Sequence, residues 1–234
     1  MNINMKIVFV STYIEPLKVF LYFAEYLTKK GYTCIFICQY NDENTRLENK
    51  KLMESYNYEY ELYHNVFLPD TKLWIQSFFF RLSLLFLYPF YLNLKSRIQA
   101  SKIITRHNPN VCIFSSETNN LCRQLVFLSN KSKIPTFLHQ WGFSSPSKRI
   151  AKQVKAVHNL TETTIQRLLI RIVTLPNAFL NRIFGLHSSL KRTTKLGGGG
   201  GCKKHLVISN AAARFYHSTG VKASKLEVVG HPVF

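Results

Sequence analysis

The sequence predicts an α/β fold with a doubly wound parallel sheet, a Rossmann-like single domain. Three blocks of the chain alternate a short apolar, β-branched run with a helical pattern, and a second apolar run follows each helix. Most of these runs lack the polar alternation of half-exposed strands, as expected when helices cover both faces of a sheet. Strands that alternate with helices in this way build a parallel sheet.

The first block runs from a strand at 6–10 through a loop into a helix. Apolar residues recur on one face of this helix: Leu17, Phe20, Leu21, Ala24 and Leu27. Lys29, Lys30 and Gly31 are typical of a helix end, and a second strand follows at 33–38. The block therefore predicts a βαβ unit.

The other two blocks repeat this order. The second has the following elements: a strand at 111–114, a loop at 115–118, a helix at 119–129 and a strand at 136–138. The third has a strand at 204–208, a helix at 210–218 capped by Asn210, and a strand at 226–229. Residues 54–63 place three tyrosines on one face of an extended segment, which predicts an additional strand.

The net charge of +19 predicts attraction to phosphates, whether in nucleic acid, an anionic membrane surface or a diphosphate-bearing small molecule. No nucleic-acid-binding motif is present, which disfavours nucleic acid as a partner. The five cysteines form no CxxC pair, and we interpret them as reduced thiols of a cytoplasmic protein that needs no metal or cofactor. The first residues lack the apolar core of a signal peptide.

Two apolar and basic segments suit a position at the inner face of a membrane. In residues 73–97 the uncharged stretch has only 13 residues and contains Pro89, short of the about 20 needed to span a bilayer. Residues 165–184 form a second basic amphipathic pattern. The predicted membrane contacts are Trp74, Phe78, Phe79, Arg81, Lys95, Arg97, Arg167 and Arg171. Core packing of both segments is the alternative.

The carboxyl-terminal part resembles the closing βαβ unit of the amino-terminal domain of GT-B glycosyltransferases. The resemblance rests on the strand at 205–209, a turn from Gly220 to Lys225 and the exit Val229-Gly-His-Pro232. Residues 5–11 and 27–33 resemble the first unit of that domain, and 108–114 with 133–135 resemble its middle. The segments at about 66–106 and 146–195 are then insertions in a single domain over 1–234.

The resemblance implies the acceptor side of a transferase, because the nucleotide-sugar donor is held mainly by the carboxyl-terminal domain, which we expect to be absent. The expected partners are a nucleotide sugar, a lipid-linked or glycan acceptor of surface polysaccharide or glycolipid synthesis, and a separate donor-binding chain. A non-catalytic membrane-docking subunit and an inactive truncated fragment are alternatives. The UDP-sugar 2-epimerase branch is another, although Gln140 lies where that branch has a glutamate, and an amide cannot remove a proton.

An inverting transferase needs a base near the acceptor hydroxyl, and such groups collect on loops at the carboxyl ends of parallel strands. His139, Glu117 and Glu15 lie on such loops, with His139 preferred because imidazole titrates near neutral pH. A structural histidine, a helix-start carboxylate and a solvated residue are the respective alternatives.

Further residues on or near these loops are predicted to bind substrate: Ser11, Thr12, Gln140, Trp141, Gly142 and His231. The glycine run at 197–201 lacks the lysine and hydroxyl residue of a phosphate-binding loop, and it predicts a flexible connection.

Overall fold

In a computed structural model, residues 5–65, 78–117, 119–139, 179–180, 183, 201–218 and 221–230 are described, with the backbone alone for 78–89. The strands are β1 Lys6–Ser11, β2 Thr33–Tyr40, β3 Glu59–His64, β4 Val111–Phe114, β5 Thr136–His139, β6 Lys204–Val207 and β7 Leu226–Val228. The helices are α1 Ile14–Lys29, α2 Glu43–Tyr56, α3 Phe78–His107, α4 Asn120–Lys131 and α5 Asn210–Ser218. A 3-10 turn at Ala223–Lys225 leads into β7.

The strands form one sheet in the order β3-β2-β1-β4-β5-β6-β7, and every neighbouring pair is parallel. The chain builds outward from β1 to β3, returns through α3, and then builds outward in the other direction from β4. The point between β1 and β4, where the direction reverses, is the switch point of the sheet. The predicted doubly wound parallel sheet is confirmed.

Helices cover both faces of the sheet, and two apolar cores lie under α1 to α4, with a third, smaller one around α5. On one face, α1 and α2 pack over side chains such as Phe9 and Phe36, and the ring of Phe20 lies 5.2 Å from that of Phe9. On the other face, α3 and α4 pack over Val8, Phe114 and their neighbours. Burial on both sides explains why the sequences of the central strands are almost entirely apolar.

Polar residues fix where several helices begin and end. Asp42 caps α2 by accepting a hydrogen bond from the amide of Thr45 at 2.8 Å. Asn119 caps α4 by accepting one from the amide of Cys122, also at 2.8 Å. The cap of α5 is Ser209, which accepts the amide of Ala212 at 3.2 Å, rather than the predicted Asn210. Gly31 follows α1 with φ of +86°, a conformation that favours glycine.

Two predicted segments differ from the structure. Residues 54–56 belong to the end of α2, and the additional strand starts at Glu59 because Asn57, with φ of +54°, ends the helix. Part of the expected insertion at 66–106 forms α3, the crossover helix between β3 and β4, and it buries Ala100 and Ile103 in the core.

All five cysteines are free thiols, as predicted, and the structure buries all of them. None of the helices within the described ranges is long and apolar enough to cross a membrane.

Candidate functional site

The loops that follow β1 and β4 meet at the switch point. The backbone amide of Thr12 donates to the hydroxyl of Ser115 at 3.1 Å, and the two hydroxyl oxygens lie 3.3 Å apart. The amide of Ser115 in turn donates to the carbonyl of Val10 at 3.0 Å. Both Thr12 and Ser115 are buried, so their hydrogen bonds join the two loops at the carboxyl ends of the strands, the edge at which open α/β sheets bind ligands.

Helix α1 begins directly after the β1 loop, at the same end of the sheet. Ser11 is buried and donates its hydroxyl proton to the carbonyl of Tyr13 at 2.7 Å, which shapes the turn into the helix. Tyr13 precedes the helix without a capping side chain, and Glu15 is exposed in the first turn. Of the three predicted catalytic side chains, Glu15 is therefore the exposed one.

His139 ends β5 but does not reach the solvent. The residue is 1% exposed, and its ring lies 5.0 Å from the ring of Phe23 and 6.1 Å from that of Phe20, both in α1. Both ring contacts are edge-on, as in packed aromatic clusters. His139 thus packs beneath α1, which agrees with the alternative of a structural histidine.

Glu117 points into the protein and holds the chain just before β6. Its carboxylate accepts the amide of Gly201 at 3.1 Å and the amide of Cys202 at 3.0 Å. A Cβ atom at Gly201 would lie 3.0 Å from Cγ1 of Val126 and 3.2 Å from Oε2 of Glu117, so a side chain here would crowd both residues. Glu117 therefore acts as an anchor between the β4 loop and β6.

The sequence analysis missed His205, which lies in β6 beneath Glu117. It is 1% exposed, and its ring packs edge-on against Tyr216 of α5 at 4.3 Å. Burial lowers the pKa of His205 to about 4, although the nearby Glu117 carboxylate acts in the opposite direction. A single histidine in an apolar run gives no sequence signal for such a position.

Of the predicted membrane contacts, the structure describes the side chains of Lys95 and Arg97, and both lie against other parts of the protein. Lys95 lines a cavity between α3 and α4, and the guanidinium of Arg97 lies 5.2 Å from the ring centre of Phe127 in α4. Burial lowers the pKa of Arg97. The outward face of α3 instead carries Tyr91 and Ile98, which are 53% and 49% exposed.

The remaining predicted residues lie outside the described part of the chain: Trp74, Gln140, Trp141, Gly142, Arg167, Arg171 and His231. The side chains of Phe78, Phe79 and Arg81 also lie outside it. In the described ranges, no group of three or more histidine, cysteine, aspartate or glutamate side chains could hold a metal ion.

Comparison with solved structures shows which fold this is. The chain is similar to CalG4, the calicheamicin glycosyltransferase, with 11% identity and a TM-score of 0.52 over 98% of this chain and 53% of that one. It is also similar to a UDP-N-acetylglucosamine 2-epimerase, with 10% identity and a TM-score of 0.50 over 97% of this chain and 46% of that one. No protein-family model and no curated protein sequence matches.

The chain therefore spans about half the length of each matched structure. At this level of identity the likeness concerns the fold, and the fold is that of one domain of GT-B glycosyltransferases and UDP-N-acetylglucosamine 2-epimerases, as the sequence resemblance implied.

Proposed function

We propose that this chain is the acceptor-side domain of a glycosyltransferase and that it binds the acceptor in the crevice above Thr12 and Ser115. The observation that supports this most is the junction of the β1 and β4 loops at the switch point, because open α/β sheets bind ligands outside the carboxyl ends of their strands at such a point. The buried hydrogen bonds give the crevice a fixed floor, and the start of α1 gives it a polar rim.

Glu15 is the proposed base. In an inverting transfer its carboxylate takes the proton of the acceptor hydroxyl, the acceptor oxygen bonds to the anomeric carbon, and the bond from that carbon to the nucleoside diphosphate breaks. Glu15 is preferred over His139 and Glu117 because it is exposed in the first turn of α1, shortly after β1, whereas His139 is packed under α1 and Glu117 holds backbone amides. The latter two keep the loops in place.

Charge supports a membrane-associated acceptor. Helices α1 and α2 together carry five Lys or Arg and five Asp or Glu, whereas α3 and α4 carry seven Lys or Arg and no Asp or Glu. Of these seven, the exposed ones include Lys102 and Lys131, which share this side of the sheet with the exposed Tyr91 and Ile98. Exposed apolar and basic side chains on one surface suit an anionic membrane.

Sugar transfer by the full chain tests the proposed reaction. Labelled nucleotide sugars are offered with membrane extracts, and Glu15→Gln is compared with Glu43→Gln, which removes an exposed carboxylate from the first turn of α2. If Glu15 is the general base, Glu15→Gln should lower the rate of sugar transfer at least about 100-fold, whereas Glu43→Gln should not. Equal rates for the two variants would remove Glu15 as the base.

The same assay separates the alternatives. Transfer only after addition of a donor-binding chain would identify a split transferase, and epimerised UDP-sugar would identify the epimerase.

Cosedimentation with anionic vesicles tests the membrane surface. The variant Ile98→Ser on α3 is compared with Leu47→Ser on α2, which removes an apolar side chain of similar size and exposure on the other face of the sheet. Only the α3 variant should reduce binding, and high salt should weaken it for the wild type. Absence of wild-type binding at both salt concentrations would contradict membrane association.

A further inference from the structure

A small polar cavity lies between α3, α4 and the carboxyl end of β3. Its volume is about 10 Å³, room for one oxygen-sized group. Six polar residues line it: His64, Asn65, Lys95, Ser96, Gln99 and Asn120. Lys95, Ser96 and Gln99 are on one face of α3 because positions three and four apart are neighbours on a helix. Its lining includes neither Thr12 nor Ser115, the two residues beneath the proposed acceptor site.

The chemistry of this lining favours an anion. Lys95 supplies an ammonium group, Ser96 a hydroxyl, and Gln99 and Asn120 amide donors. Among the described residues around the cavity there is no aspartate or glutamate. The ring of His64 is held edge-on against that of Tyr40 at 5.3 Å, at the end of β3.

The amino terminus of α4 also faces this cavity through Asn120 and Leu121. The side chain of Asn119 accepts a hydrogen bond from the amide of Cys122. The first backbone hydrogen bond of α4 runs from the amide of Arg123 to the carbonyl of Asn119, at 3.0 Å. The amides of Asn120 and Leu121 therefore precede the helical hydrogen-bond ladder. Such amides and the helix dipole both favour negative charge.

Ser96 also faces this cavity. It is only 9% exposed, and its hydroxyl lines the cavity. The hydroxyl oxygen is open to the cavity rather than sealed from it, so the group that occupies the cavity completes its hydrogen bonding.

We propose that this cavity binds a phosphate or diphosphate group, with one phosphate oxygen seated among Lys95, Ser96 and the start of α4. The remaining oxygens lie at the mouth of the cavity, since its volume admits one oxygen-sized group. This inference deepens the proposed function, because nucleotide sugars and lipid-linked acceptors both carry diphosphates. Binding does not require catalysis, so it is tested without an activity measurement.

Equilibrium dialysis of the full chain with radiolabelled inorganic pyrophosphate tests the site. Because the net charge of +19 attracts any phosphate, each variant needs a control with the same change nearby. Lys95→Met is compared with Lys102→Met, and Ser96→Ala with Ser101→Ala, since Lys102 and Ser101 are exposed on the same helix. We expect Lys95→Met to weaken binding about tenfold and Ser96→Ala several-fold, with both controls near the wild type.

Two further ligands distinguish the source of the phosphate. Uridine diphosphate represents the donor and geranyl diphosphate a lipid-linked acceptor, and the ligand whose binding is weakened by Lys95→Met but not by Lys102→Met is the one this site takes. No pyrophosphate binding, or an equal loss in Lys95→Met and Lys102→Met, would overturn the proposal. That result would leave the role of Glu15 in sugar transfer standing, because the site and the crevice are tested with different residues.

Discussion

The carboxylate of Glu117 accepts a hydrogen bond from the backbone amide of Gly201 at 3.1 Å, across 84 residues of the chain. A second amide, that of Cys202, donates to the same carboxylate at 3.0 Å. The amide side chain of Asn130 holds the carbonyl of Gly201 at 2.9 Å from the other side. These contacts fix the start of β6 against α4 and thereby hold the β4 loop that forms one side of the crevice.

Replacement of Glu117 by glutamine should destabilise the fold. The amide group keeps one acceptor but turns a donor toward the amides of Gly201 and Cys202, and the charge that strengthens these bonds is lost. We expect the free energy of unfolding in urea to fall by about 2 to 3 kcal/mol. Glu25→Gln is the control, because it removes an exposed ion pair with Lys29 and should cost at most about 1 kcal/mol. Equal losses would contradict the anchoring role.

His205 should make the protein sensitive to mild acid. Its pKa is about 4 in the folded protein and 6.5 ordinarily, so between these pH values the unfolded chain binds more protons and stability falls as pH falls. The slope attributable to this residue is about 1.4 kcal/mol per pH unit within the window. Phenylalanine at this position keeps the ring contact with Tyr216 and should remove that part of the pH dependence.

Urea unfolding at several pH values between 7 and 4 checks this prediction. The exposed Lys203, two residues away, offers the control Lys203→Gln, which should keep the wild-type slope. A His205→Phe protein with the same slope as the wild type would show that His205 does not carry the effect.

Glu61 joins the edge strand β3 to the end of α3. Burial acts to raise its pKa, but hydrogen bonds from Tyr63, from Arg106 at 2.7 Å and from His107 at 2.8 Å outweigh it and leave the pKa below the ordinary 4.5. A lowered carboxyl pKa stabilises the fold above pH 4.5, and this contribution is lost as pH falls below that value.

The variant Glu61→Gln should therefore unfold at lower urea than the wild type at pH 7, with a loss of about 1 to 3 kcal/mol. Its stability should also change less with pH below 4.5, because the titrating group is gone. Glu59→Gln on the same strand is the control: Glu59 is 59% exposed and lies 3.3 Å from His107, so its removal should cost less. Parallel pH curves for Glu61→Gln and the wild type would refute the role of Glu61.

The sequence predicted the elements whose apolar pattern reports burial. Strands β1, β2 and β4 are nearly uniform apolar runs, and α1 shows a clear apolar stripe. Helix α2 was missed because its apolar face is minimal: only Asn49 and Met53 are buried. The segment at 54–63, in which tyrosines alternate with other residues, overlaps the last turn of that helix. The helix ends at Asn57 because the backbone there is left-handed, which the side-chain pattern does not indicate.

The location of the candidate site was easier to predict from the sequence than the role of each side chain in it. The carboxyl ends of β1 and β4 follow from the strand order, and Ser11 and Thr12 were assigned there, while Ser115 was missed although the same rule applies to its loop. The burial of His139 depends on Phe20 and Phe23, which come from a distant part of the chain. No local pattern reports such a tertiary contact.

Photocrosslinking at the crevice tests the central claim, acceptor binding at the switch point. The substitution Tyr13→benzoylphenylalanine places a photoreactive group at the start of α1, where Tyr13 is 50% exposed, and Tyr26→benzoylphenylalanine places it near the other end, where Tyr26 is 62% exposed. After irradiation with a membrane lipid extract, mass spectrometry of the full chain reads the adducts. We predict a glycolipid or lipid-linked sugar adduct at position 13 and none at position 26. No adduct at position 13, or equal labelling of both positions, would contradict acceptor binding in this crevice.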